Sequence, residues 1–93
     1  MADDAKSAVN KALGDEVRVW RTRRGLSRAA LAQKIDMQPT QLARIENNQR
    51  DMTLSQLFAI AWALEVDPER LVRDAVQANG GVEALLTEGK TDE

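Results

Sequence analysis

An all-α bundle of five short helices is the fold this sequence predicts. Three observations carry the prediction. Apolar residues recur at helical spacings of three and four through five short segments. Cap or breaker residues bound each segment, with short connections between them. No stretch alternates apolar and polar residues long enough to form a strand, and no internal repeat is present.

Residues 2–12 are polar and alanine-rich and read as a frayed arm or an extra helical turn, so 1–12 is set apart as a flexible or helical arm. The first clear helix covers about 13–24, with Leu13, Val17 and Trp20 on one stripe. Arg23 and Arg24 followed by Gly25 end it: cations in the last turn, then a residue free to turn left-handed. Ser27 caps a second helix whose inner face is Leu31, Ala32 and Ile35. Asp36-Met37-Gln38 breaks the chain. Pro39 then opens a third helix, about 39–46, at the one position where its missing N–H costs nothing. Leu42 and Ile45 face inward.

The polar loop 47–51 leads to Thr53-Leu54-Ser55-Gln56, a capping box that opens a fourth helix, about 54–65. Asp67-Pro68-Glu69 opens a fifth, with Leu71 and Val72 inward. Asn79-Gly80-Gly81 breaks the chain again. Residues 82–88 make one marginal helical segment, and the last five residues are expected to be disordered. The core domain is thus 13–76, with 77–93 a C-terminal segment that is partly disordered or used for dimerisation.

Composition narrows the chemistry. The chain has 93 residues, one domain's worth, with no cysteine and no histidine. That removes thiolate metal sites, disulfides and the commonest general base, so neither an enzyme nor a metal or cofactor site is expected. No apolar run approaches the ~20 residues that span a membrane. Met1-Ala2-Asp3-Asp4 lacks the basic start of a secretory signal, so a cytoplasmic protein is expected. Net charge is −2, but it is unevenly spread. Residues 18–50 carry eight bases against two acids, +6, between flanks of −2 and −6. A basic centre of this kind is an electrostatic footprint for nucleic acid. The alternative is a solvated face that happens to be basic.

Two helices joined by a three-residue turn, 27–46, are the geometric core of a helix-turn-helix, whose second helix enters the major groove of duplex DNA. Gln38, Thr40, Gln41 and Arg44 are the candidate base readers. Gln pairs with adenine, Arg with guanine, and the Thr methyl meets the thymine methyl. The alternative is an ordinary polar face on a surface helix.

Leu13-Gly14, Trp20-Arg21, Gly25-Leu26-Ser27, Leu31-Ala32, Ala43-Arg44-Ile45-Glu46 and Leu64-Glu65-Val66 are weak signals singly. In this order and spacing, residues 13–72 resemble the phage repressor and Cro family. The resemblance implies a five-helix phage-repressor-like bundle that reads DNA with its third helix, as a homodimer on a two-fold symmetric operator. It implies phosphate contacts from Arg28, Asn48 and Arg50. It also implies an ion pair between Arg21 and Glu46 that fixes the recognition helix. Pro39 departs from the family pattern, where a polar reader is common, so one base contact is missing.

Trp20 is expected in the core. Trp62 stands where the family pattern expects a polar residue, and Phe58 shares its face. Exposed aromatics of this kind mark a contact surface, so Phe58 and Trp62 are the candidate dimer or partner surface, with Met52 or the Val82-Leu85-Leu86 segment beside them. The alternative is that the C-terminal segment folds back and covers them. Two functions follow: an operator-binding transcriptional regulator, in particular a repressor, or an antitoxin-like or anti-repressor module that binds a protein partner through its acidic C-terminal half.

Overall fold

The computed structural model describes residues 3–87. It is all-helical over that span, with six helices: α1 (Asp3–Arg23), α2 (Arg28–Lys34), α3 (Pro39–Glu46), α4 (Leu54–Leu64), α5 (Pro68–Ala78) and α6 (Val82–Thr87). The expectation of disorder over the last five residues lies outside the described span.

One element differs from the sequence reading. α1 begins at Asp3 rather than near residue 13. Its extension has a buried stripe of Ala5, Ala8 and Ala12, of which Ala8 and Ala12 pack with Ala75 of α5 and Leu85 of α6. Alanine is the best helix former but a weak hydrophobe, so this stripe is inconspicuous until its partners are in place. α6 forms where the marginal helical segment over 82–88 was expected. Burial of Leu85 against α1 and α5 holds it.

The main core gathers Val17, Trp20, Leu31, Leu42, Ile60, Leu64 and Leu71 from five helices. The expected caps form in part. Ser27 Oγ accepts the Ala30 N–H at 3.0 Å. Thr53 and Gln56 make both bonds of the capping box, at 3.1 and 2.9 Å. Asp67 sits at the α5 N-cap with extended backbone but makes no side-chain capping bond.

α1 to α5 all stop in one way. Each is followed by a left-handed residue: Gly25, Asp36, Asn48, Glu65 and Gly80. The N–H of the next residue reaches back five positions, as from Leu26 to the Arg21 carbonyl at 3.0 Å and from Val66 to the Ala61 carbonyl at 3.0 Å. This is the Schellman closure, which satisfies carbonyls the helix leaves open. Three of the five left-handed positions lack glycine.

Candidate nucleic-acid interface

The α2–α3 unit is built on Leu31 and Ala32 from α2 and Leu42 and Ile45 from α3, all buried. Asp36 turns the chain between them at φ 56°. Gln38 takes the N-cap of α3 with extended backbone, and Pro39 follows inside the first turn.

Three devices fix α3 against α1. The first is a close approach. A Cβ on Gly14 would overlap the carbonyl oxygen of Ile45, so glycine alone lets the two backbones meet. The second is Glu46, whose side chain is fully buried. Arg21 holds it as a two-pronged fork, Nε to Oε2 at 2.7 Å and Nη2 to Oε1 at 3.1 Å. Arg28 of α2 adds Nε to Oε1 at 2.9 Å, and Arg18 Nε lies 3.7 Å from Oε1. The third is a cap. Arg18 Nη2 donates to the Glu46 carbonyl at 3.3 Å and to Asn47 Oδ1 at 2.7 Å, at the C-terminal end of α3. Arg21 also donates from Nη1 to the Leu26 carbonyl at 2.9 Å, which ties in the α1–α2 loop.

Burial alone would raise the Glu46 carboxyl above its usual range. The hydrogen bonds and charges of Arg21 and Arg28 outweigh it and hold the group below that range. Glu46 is therefore an anion at neutral pH, and it ties α1, α2 and α3 at one point. Arg18 was missed in the sequence. Its spacing of three before Arg21 was the available signal.

The basic centre is mostly engaged within the protein. Arg18, Arg21 and Arg28 converge on Glu46. Arg24 donates to the Leu64 and Glu65 carbonyls at 2.7 and 2.9 Å, closing the end of α4. Arg23 and Arg24 lie over the Trp20 ring, 4.5 and 5.1 Å from its centroid. Lys34, Arg44 and Arg50 are exposed and make no hydrogen bond or ion pair with any described residue. Among the expected phosphate contacts, Arg28 thus differs from the other two. Its guanidinium already serves Glu46 while its side chain remains 38% exposed. Asn48 and Arg50 stand exposed in the α3–α4 loop.

Of the expected base readers, Gln38 at the N-cap, Thr40 in the first turn and Arg44 in the last turn of α3 are exposed. Gln41 is half-buried, in a depression shared with Ser55, Gln56 and Ala59 of α4. It therefore sits closer to the α4 side than its three neighbours do.

Trp20 is buried, and its Nε1 donates to Asp74 at 3.3 Å. Phe58 and Trp62 are exposed. α6 does not cover them. It lies against α1 and α5, where Val82, Leu85 and Leu86 border Val9, Leu13 and Val76. No described helix is long and apolar enough to cross a membrane. Among the described residues there is no cluster of metal-ligating side chains.

Comparison with known proteins agrees with this architecture. Residues 17–71 match the helix-turn-helix family. Over 55 residues the chain is 40% identical to the HTH-type transcriptional regulator RamB of Mycobacterium tuberculosis. That stretch is 59% of this chain but only 12% of RamB, so the chain spans a small part of that relative's length. The clp gene regulator ClgR from Corynebacterium glutamicum shares the fold with a TM-score of 0.73 at 21% identity, over 75% of this chain and 74% of that one. The restriction-modification controller protein C.AhdI from Aeromonas hydrophila superposes with a TM-score of 0.64 at 29% identity, over 67% of this chain and 94% of that one. The matched span runs from the middle of α1 into α5 and takes in the whole α2–α3 unit, and the chain belongs to the helix-turn-helix family of the Cro/C1 type.

Proposed function

We propose that this protein binds a duplex DNA operator and regulates transcription from it as a repressor, with α3 in the major groove. One observation carries the reading. Gln38 at the N-cap and Thr40 and Arg44 on the helix stand exposed on an element whose far end is locked by Glu46, and the side chains of Arg50 and Asn48 flank it with no partner among the described residues. A recognition helix needs free polar side chains on a rigid mount, because base-edge hydrogen bonds tolerate little displacement. Arg44 reads guanine, Gln38 and Gln41 read adenine, and Thr40 meets a thymine methyl. Arg50, Asn48 and the exposed part of Arg28 hold phosphates. The protein acts in the cytoplasm, on the nucleoid, as a homodimer on a palindromic operator.

Selection from random duplex DNA followed by a salt titration tests this. The expected result is an enriched palindrome with half-sites about one helical turn apart. Its affinity should fall with salt at a log–log slope of roughly −0.9 per phosphate contact. Failure to bind any duplex at low salt overturns the reading. A second reading, an antitoxin-like or anti-repressor module with a protein partner, is favoured by the exposed Phe58 and Trp62. Recovery of a stoichiometric protein complex without duplex binding would support it.

A further inference from the structure

One ridge of α1 runs beside the end of α3 and the loop that follows it. Lys6, Asn10, Gly14 and Arg18 recur at intervals of four residues, so they share a side of the helix. Gly14 meets the Ile45 carbonyl. Arg18 holds Asn47 at the start of the 47–51 loop, Nη2 to Oδ1 at 2.7 Å. Further back along the ridge, Asn10 donates from Nδ2 to Asp51 Oδ1 at 2.9 Å, and Lys6 Nζ lies 3.5 Å from Asp51 Oδ2. The loop's own backbone secures only its first half. The N–H groups of Asn47, Asn48 and Gln49 bond back to the carbonyls of Ala43, Ile45 and Arg44. Those of Arg50 and Asp51 make no hydrogen bond with any described residue. Asp51 is therefore the polar anchor of the second half, and Met52 packs on the core just beyond it.

We infer that Asn10 and Lys6, acting on Asp51, are positioning residues for the loop that grips phosphate, and the inference rests on the operator reading for that grip. Held at Asn47 and again at Asp51, the loop presents Asn48 and Arg50 between two fixed points. Both are exposed, with no side-chain partner among the described residues. Immobilising a long arginine on a phosphate costs conformational entropy, and less is lost at binding when its backbone is already ordered. Asp51 sharpens the argument. A carboxylate next to Arg50 repels a phosphate backbone, so by charge alone it opposes DNA binding. Its favourable role is geometric: it ties the loop to α1, while Lys6 offsets its charge. Asn10 and Lys6 precede residue 17, where the family match begins. The brace is thus an addition to the matched helix-turn-helix, supplied by the extension of α1.

Fluorescence anisotropy of the full chain on a labelled mixed-sequence duplex at low salt tests the inference, because phosphate contacts do not depend on sequence. Asn10→Ala should weaken binding about fivefold, the scale of one hydrogen bond. Its salt slope should stay at the wild-type value, because no charge is lost. Asp51→Ala should also weaken binding, although it removes an anion. Asp51→Asn keeps the acceptor for Asn10 and should bind at least as tightly as wild type. The penalty of Arg50→Ala should be smaller in the Asn10→Ala background than in wild type, since a loosened loop has less to lose. Melting temperatures of the Asn10 and Asp51 variants should stay within about 4 °C of wild type, because the contacts are at the surface. NMR order parameters of the amides of residues 49–51 should fall in Asn10→Ala. Tighter binding by Asp51→Ala overturns the inference, as does wild-type affinity in Asn10→Ala or strict additivity with Arg50→Ala. Unchanged order parameters in the loop overturn it whatever the DNA result. A wild type that binds no duplex, but whose loop loosens in Asn10→Ala, would remove the operator reading and leave the brace standing.

Discussion

Replacing Glu46 with alanine removes the common partner of three arginines. Arg21 is the most deprived, because its side chain is only 13% exposed and keeps just the Leu26 carbonyl. Arg28 and Arg18, at 38% and 44% exposed, can turn to water. Removing one partner of a buried ion pair costs about 3–5 kcal/mol, and the solvent available to two of the arginines places this case near the low end, about 3 kcal/mol. A domain of this size has about 5–15 kcal/mol of total stability, so the variant should still fold. Its melting temperature should drop by roughly 12–24 °C, at about 4–8 °C per kcal/mol. Urea titration followed by circular dichroism measures the loss directly. Acid behaviour provides a second reading. The Glu46 pKa lies lower in the folded protein than the ordinary 4.5, so its contribution is full above that pH and is lost as pH falls through the folded value. The acid limb of the stability curve should therefore flatten in Glu46→Ala. Affinity for every DNA sequence should fall alike, because α3 loses its mount rather than a reader. A stability loss below about 1 kcal/mol, the scale of a surface pair, would refute the reasoning. So would a defect confined to one base pair.

Gly14→Ala should destabilise by about 1–3 kcal/mol, since the new methyl meets a backbone carbonyl that cannot rotate away; a melt like that of wild type would show that α1 and α3 can separate freely. Arg44→Ala should relax preference at one base pair by about 1–3 kcal/mol, whereas Arg50→Ala should reduce the salt slope by about 0.9 for all sequences. Competition binding over a panel of operator variants separates the two. Glu16, buried on α1, has its carboxyl pushed up, first by burial and then by the nearby Asp74 charge, against the opposing pull of Arg23. Its raised folded pKa means its contribution is present below pH 4.5 and is lost as pH rises through the folded value. Glu16→Gln should therefore raise the melting temperature at pH 7 and leave it unchanged at pH 3.

The α2–α3 unit and the start of α4 were legible because their helix starts carry local chemical signals. Ser27, Pro39 and the Thr53–Gln56 box mark helix starts with groups that satisfy or replace open N–H donors. The extension of α1 was not legible, because Ala8 and Ala12 become a buried face only once α5 and α6 supply the other side. The charge count over 18–50 located the right region, but it could not separate arginines that hold the fold from those left exposed. That division depends on Glu46 and the α4 carboxyl end, which approach the arginines only in three dimensions. Arg18 and Arg28 converge on Glu46 for this reason, across 28 and 18 residues of sequence.

The Schellman closures at Asp36, Asn48 and Glu65 set non-glycine residues in backbone that glycine adopts without penalty, while Gly14 forbids any side chain on ordinary helical backbone. The two kinds of position have opposite evolutionary latitude. At the three helix ends glycine fits the left-handed backbone without the strain a Cβ adds there, about 1–2 kcal/mol for Glu65 and less for Asp36 and Asn48, whose residue types adopt it more readily. At Gly14 the chain has no neighbouring choice. Diversification of this scaffold is therefore free to reshape the turns around the α2–α3 unit, whereas the crossing of α1 over α3 is held to one residue type.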